Sequence, residues 1–281
     1  MGEDTLMTSH RQSEDRFARR MLAIYVGGVC IFLIIPILLP MVISFSSSAR
    51  IEFPPPGFSL QWYEAAINNE HFRRGLWNSL VIAAVCAVLS TIAGTAAAIA
   101  LNHYRFLGRS SAQLVLMMPL ALPAVVKGLG VMFVLPSYGL APGVVATILA
   151  HCVLGIPYVA YLVLATLSNY DLTLEQASRN LGASAYRTFR LITFPLIKPG
   201  VVAGGVFAFL MSFDNVSLSL FTAAGNTLPL SLMQHIQHNA DPTVAAVSTF
   251  LIISAMVIMV LFGQVIRQRQ LSGLKSASAE A

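Results

Sequence analysis

The sequence predicts an all-α integral membrane protein with six transmembrane helices, and three observations lead to this prediction. First, 56% of the 281 residues are hydrophobic and 10% are charged, whereas about 25% of residues are charged in a typical soluble domain. Second, the apolar residues form six runs long enough for the roughly 20 helical residues that cross a bilayer. Third, the basic residues are concentrated in alternate connections between these runs.

The six predicted spans follow the apolar runs in chain order. They cover residues 21–45, 79–101, 112–135, 143–167, 200–222 and 244–266. No small-residue cleavage site follows the first run, so we expect a retained span there and not a signal peptide. Residues 1–20 would form an N-terminal segment, residues 21–267 the membrane domain and residues 268–281 a polar tail.

The orientation follows from the Lys and Arg residues. Thirteen of the 17 lie in connections on the side of the N-terminus, and three lie on the opposite side: Arg50, Arg73 and Arg74. Because Lys and Arg are retained in the cytoplasm, both termini should be cytoplasmic. This placement also explains the net charge of +5 without nucleic acid as a partner.

Enzymatic and metal chemistry are not indicated by the sequence. It contains no G-x-x-x-x-G-K-[ST] loop for ATP phosphates and no nucleophile with a base beside it. The three cysteines (Cys30, Cys86 and Cys152) lie in apolar runs, as inert packing residues do. The polar residues His235, His238 and Asp241 match no strong ligand spacing and are interpreted as a solvated loop and not a metal site.

A polar segment, Asp171 to Gly200, interrupts the apolar pattern between the fourth and fifth spans. Thr173 and Gln176 have the spacing of a capping box, which predicts a helix start. An apolar stripe follows at helical spacing: Leu174, Ala177 and Leu181. Gly182 would end this helix in the left-handed conformation, and Ser184 would cap a second helix. Pro195 and Pro199 are expected to close that second helix, which makes the segment a basic helical hairpin.

The hairpin resembles the EAA loop of the membrane subunits of binding-protein-dependent ABC importers. The family pattern is E-A-A, three residues, G, nine residues and I-x-L-P, and this chain reads QASRNLG and then ITFP. Gly182, Ile192 and Pro195 match in place. The chain departs from the pattern where Gln176 replaces the Glu, Ser178 the second Ala and Phe194 the Leu; an acidic residue, Glu175, lies one position earlier.

The resemblance implies a cytoplasmic coupling helix that docks into an ATP-hydrolysing partner. The residues implied in ATPase coupling are Glu175, Gln176, Ala177, Gly182 and Pro195. The implied partners are a cytoplasmic ATP-binding subunit dimer, a second homologous permease, a periplasmic solute-binding protein and membrane lipid. ATP and Mg would be bound by the ATPase partner, with no cofactor in this chain, and the location would be the bacterial inner membrane.

Two charged residues fall deep inside predicted spans: Lys127 in the third and Asp214 in the fifth. Because a charge within a bilayer is costly, such residues often mark a solute pathway. In one interpretation Asp214 attracts a cationic or zwitterionic solute and Lys127 sets its charge. In the other, the two form a buried ion pair that fixes the third span against the fifth.

The phrase W-Y-E-A from Trp62, with L-W-N-S-L from Leu76, and the surroundings of Asp214 are similar to spermidine/putrescine-type permeases. We therefore expect an importer subunit whose solute is a polyamine or a related amine. An aminophosphonate, an opine-like conjugate and ferric iron remain alternative solutes. A self-contained carrier driven by an ion gradient is the alternative from another class, although no inverted repeat between the halves is evident.

Overall fold

A computed structural model of the chain describes residues 3–168, 171, 173–225, 227–239 and 241–257, with side chains from residue 19 onward. Within these ranges the backbone is helical, apart from connections and an isolated β-bridge between Ser46 and Phe58. The helices are α1 Glu3–Ile43, α2 Gln61–Asn68, α3 Glu70–His103, α4 Arg109–Ala121, α5 Ala124–Ser137, α6 Val144–Leu167, α7 Thr173–Asn180, α8 Ala185–Thr188, α9 Phe194–Phe213, α10 Val216–Thr222, α11 Leu228–His238 and α12 Thr243–Val257.

Four of the described helices are long and apolar enough to cross a membrane: Arg19–Ile43, Glu70–His103, Val144–Leu167 and Ala185–Phe213. The bent pair α4 and α5 would make a fifth. This confirms an all-α membrane protein. Of the predicted sixth span the structure describes α12; its remainder to residue 266 and the tail 268–281 lie outside the described residues.

The third predicted span, residues 112–135, is wrong as a single straight helix. α4 and α5 meet at an angle of 109°, with the break at Leu122 and Pro123. Proline has no N–H to donate to the carbonyl four residues earlier, and its ring crowds that carbonyl. Leu122, as the residue before a proline, takes an extended conformation with ψ 141°.

The fifth span differs from the prediction at both ends. It begins at Ala185 and runs without interruption to Phe213, so Pro195 and Pro199 do not close the second hairpin helix. A π-helical turn, Phe189–Thr193, precedes the first of these prolines. Pro195 follows this π turn directly, in the first turn of α9. At its other end α9 stops at Asp214, and α10 begins after Asn215.

Helices α3, α6 and α9 pack together around a core cluster of small and β-branched side chains, with Val159 and Ala160 at 0% exposure. Glycines set this packing. A Cβ added at Gly94 would lie 2.7 Å from the Ile156 carbonyl oxygen, and one at Gly204 would lie 3.1 Å from Val159 Cα. Gly200 and Gly204, which form a GxxxG pattern in α9, thus lie on a helix contact surface.

The chain divides into two compact units: residues up to Asn68 with those from Ile236, and Asn69–His235. In the first unit the indole Nε1 of Trp62 donates to the Ser46 carbonyl at 2.7 Å, which ties α2 to the loop after α1. In the second unit α11 folds back on α3. There the Leu228 N–H donates to Ser79 Oγ at 3.0 Å and the His235 ring packs edge-on against Phe72.

Candidate functional site

The polar hairpin after α6 is built from α7 and α8. The Thr173 N–H donates to Asp171 Oδ1 at 2.9 Å, so the Asp171 carboxylate accepts at the helix start in place of the predicted Thr173 hydroxyl. This backbone hydrogen bond lowers the pKa of the exposed Asp171 carboxyl. The ionised group therefore lies beside the positive end of α7, which favours a negative charge.

Gly182 and Ser184 form the turn as predicted. Gly182 has φ +85°, in the left-handed region, and a Cβ at this position would meet no atom within 4 Å. Ser184 Oγ accepts from the Arg187 N–H at 3.3 Å and caps α8. The turn therefore depends on backbone conformation and not on lack of space.

Glu175 lies on the inner face of α7. It is 8% exposed, and its two carboxylate oxygens lie 2.9 and 3.0 Å from His103 Nε2 at the last residue of α3. Thr193 Oγ1 donates to the same carboxylate at 2.6 Å. The carboxylate thus joins three elements: α7, the end of α3 and the π turn.

A second polar link holds the same face of α7. Ser178, one helical turn after Glu175, has its Oγ 3.1 Å from Thr188 Oγ1. Thr188 and Thr193 are five residues apart and both are buried. The π turn between them closes hydrogen bonds between residues five apart, and so turns both threonines towards α7.

The outer face of α7 is open. Gln176 and Ala177 are exposed, and Leu174 and Leu181 of the apolar stripe are 48% and 89% exposed. Pro195 is exposed in the first turn of α9. The hairpin therefore presents apolar surface next to polar side chains, with its inner face attached to the membrane helices.

Lys127 has a structural partner at the break of the third span. Its Nζ donates to the Pro119 carbonyl oxygen at 3.0 Å. That carbonyl would accept from residue 123 in a continuous helix, and Pro123 has no N–H. The ammonium group therefore satisfies an acceptor that the break leaves free, at the negative end of α4.

Asp214 lies at the break of the fifth span. It is the C-terminal cap of α9 and is exposed, and the next residue, Asn215, caps α10 through its side chain at 2.9 Å from the Leu218 N–H. Both Lys127 and Asp214 are described, and no ion pair joins them within 4.0 Å. The structure therefore does not support the second interpretation, a buried ion pair between these residues.

The two broken spans pack against each other. A Cβ at Gly128 in α5 would lie 2.3 Å from the Phe221 ring and 3.1 Å from the Ser217 carbonyl oxygen of α10. Discontinuous helices in membrane proteins often surround solute sites, because their ends carry unpaired backbone groups and partial charges. The breaks thus place an exposed carboxylate beside interrupted backbone.

The sequence analysis missed three polar groups. His103 and Thr193 hold Glu175, and the fully buried His151 bridges Ser212 in α9 (2.7 Å) and Ser219 in α10 (3.3 Å). His103 could have been noticed as a titratable residue at the end of a span. Its pairing with a residue 72 positions away depends on tertiary packing.

A family model described as "Binding-protein-dependent transport system inner membrane component" matches residues 90–271, more than half of the chain. The chain belongs to this family. It is therefore a permease subunit of an ABC importer and a multi-pass protein of the bacterial inner membrane. Membership of this family excludes the alternative interpretation, a self-contained carrier driven by an ion gradient.

Two curated relatives and one solved structure illustrate the similarity. The permease is 31% identical to the spermidine/putrescine transport system permease protein PotC of Escherichia coli, over 89% of this chain and 94% of PotC. It is 30% identical to the putrescine transport system permease protein PotI of Escherichia coli, over 79% and 82% of the two chains. A bacterial ABC transporter involved in import of the acidic polysaccharide alginate has the same fold, with TM-score 0.67, 16% identity and coverage of 90% and 97%.

Proposed function

We propose that the permease imports a polyamine or a related small amine, and that ATP hydrolysis by a separate subunit drives the import. The 31% identity to PotC over most of both chains carries the solute proposal. In this proposal ATP and Mg are bound by a cytoplasmic ATP-binding subunit dimer. A second homologous permease would complete the pathway, and a periplasmic solute-binding protein would deliver the solute.

The coupling surface in this proposal is the outer face of the hairpin. Gln176 and Ala177 face the ATPase, Gly182 keeps the turn closed, and Pro195 starts the helix that leads into the membrane. Glu175 contributes from the inner face by holding α7 in place. The support is the contrast between the open outer face and the bonded inner face of a short helix.

Asp214 is the proposed contact for the amine. Its carboxylate is exposed at the break between α9 and α10, where an amine would find charge complementarity. The positive charge of Lys127 is neutralised in part by the Pro119 carbonyl and by the end of α4. A cationic solute is therefore compatible with both charged residues.

The coupling part of the proposal is tested at Gly182. We expect Gly182→Val to abolish most uptake while the permease still inserts, because a β-branched residue in the left-handed conformation costs about 1–2 kcal/mol. Gly182→Asn is the matched control, since Asn tolerates that conformation and the position has room for a side chain. Normal uptake by Gly182→Val would contradict the proposal.

The solute part is tested by uptake into vesicles that contain the complete importer. We expect labelled putrescine or spermidine to be taken up. An aminophosphonate, an opine-like conjugate and ferric iron should fail to compete. Asp214→Asn should reduce amine uptake with ATP hydrolysis retained, because the carboxylate attracts the cation. Uptake of one of the competitors in place of the amines would overturn the assignment.

A further inference from the structure

His103, Glu175 and Thr193 form a polar cluster where α3, α7 and the π turn meet. The His103 and Glu175 side chains are 20% and 11% exposed, and Thr193 is 2% exposed. Buried polar groups in such a cluster are costly unless each finds a partner. In this cluster both carboxylate oxygens of Glu175 and both ring nitrogens of His103 have a hydrogen-bond partner.

The hydrogen-bond geometry orients the His103 ring between α3 and Glu175. Nδ1 lies 3.2 Å from the carbonyl oxygen of Ile99, one turn earlier in α3. Nε2 faces the two oxygens of Glu175. A lone pair there would oppose the carboxylate, so Nε2 donates to Glu175, and an ionised acceptor makes such a hydrogen bond stronger than a neutral one.

The cluster connects α7 to two different membrane helices. Through Thr193, and through Ser178 with Thr188, α7 is attached to the helix that continues as α9. Chain connectivity already ties that helix to the hairpin. The link from α7 to α3 has no such covalent support, since His103 and Glu175 are 72 residues apart.

We infer that His103 is a positioning residue for energy coupling: it ties the coupling helix α7 to α3, so that movement of α7 reaches α3 as well as α9. The inference rests on the proposed function, in which the ATPase moves α7. α3 packs along α6 and α9 through glycine contacts such as Gly94 against Ile156. A displacement at its cytoplasmic end is therefore passed to the core of the second unit.

The test uses the complete importer in vesicles, with the ATPase, both permeases and the binding protein, and putrescine as the probe. The measured quantities are uptake per ATP hydrolysed and the amount of ATPase retained on the permease. We expect His103→Ala to keep the ATPase and to lower uptake per ATP by roughly two- to thirtyfold. His103→Lys keeps a hydrogen-bond donor towards Glu175 and should recover a large part of the ratio.

Two comparisons make the test specific. Glu175→Ala should cost less in the His103→Ala background than in the wild type, because the two changes share the link to α3 and only the bond from Thr193 is lost in addition. His71→Ala, an exposed histidine near the start of the same helix, should leave the ratio unchanged.

An unchanged ratio in His103→Ala, with Gly182→Val still defective, would overturn the inference and leave the proposed function intact. Loss of the ATPase or of insertion in His103→Ala and His103→Lys alike would also overturn it, since the residue would then serve folding alone. A wild-type importer that takes up putrescine with no dependence on the ATPase would overturn the proposed function itself.

Discussion

Lys127 shows how a cation is retained in an apolar helix without a charged partner. Its ammonium group donates to a carbonyl that Pro123 cannot satisfy, so the break in the third span and the charge explain each other. The sequence analysis noted Lys127 as a charge within an apolar run and Pro123 as part of that run. It could not join them, because the hydrogen bond exists only once the helix has broken.

Removal of that ammonium group should destabilise the permease. We expect Lys127→Met to lower the free energy of unfolding by about 1.5–3 kcal/mol, the contribution of a hydrogen bond to a charged group. Lys127→Arg, which keeps a cationic donor, should retain most of the stability. Thermal unfolding in detergent micelles measures both, and equal stability of the Met variant would contradict this role.

Glu175 shows the limit of motif spacing at the residue scale. Sequence placed it beside the position of the family Glu but could not say which side of a two-turn helix its carboxylate would face. Burial and the bonds from His103 and Thr193 decide this. The direction is set by residues on other elements, which no local pattern in α7 encodes.

At the scale of the elements, prolines explain most differences between prediction and structure. Pro123 breaks a span, whereas Pro157 lies inside α6, and Pro195 follows a π turn without ending the helix. Hydropathy gives the length of an apolar run but not its continuity, so the first and fourth spans were predicted to within a few residues, whereas the third was predicted as one continuous helix. Helix caps at Gly182 and Ser184 are local features and were predicted correctly.

The glycine contacts between α3 and α6 give a test at the same scale. We expect Gly94→Ala to lower the free energy of unfolding by about 1–3 kcal/mol, because the new methyl group meets the Ile156 carbonyl and Val159 in a close-packed interface. Gly130→Ala in α5 adds the same methyl where no atom lies within 4 Å.

Denaturation of the two glycine variants in the same detergent gives the comparison. The Gly130 variant should be as stable as the wild type or slightly more so, because Ala favours helix over Gly. If the Gly94 variant proved equally stable, the helices would have room to separate, and the packing described here would be wrong.

For the whole molecule, the distribution of charge predicts an orientation that can be measured directly. With the three native cysteines replaced by serine, a single Leu181→Cys in the hairpin and a single Phe58→Cys before α2 are both well exposed. A membrane-impermeant thiol reagent should label Phe58→Cys in intact cells. It should label Leu181→Cys only after the cells are opened, because basic connections stay in the cytoplasm.

Labelling of Leu181→Cys in intact cells would show that the orientation is the reverse of the predicted one. The hairpin would then be out of reach of any cytoplasmic partner.

The corner between α4 and α5 has a mechanical consequence. A straight crossing cannot fold sharply, because bending it would strip backbone hydrogen bonds that hydrocarbon cannot replace. At Leu122 and Pro123 the helical hydrogen bonds are already interrupted, and the flexible side chain of Lys127 donates to the free Pro119 carbonyl. Rotation about the backbone bonds of this corner would move α5 as one rigid body relative to α4. Since Gly128 leaves no gap to Phe221, α10 would have to travel with it, opening or closing the approach to Asp214.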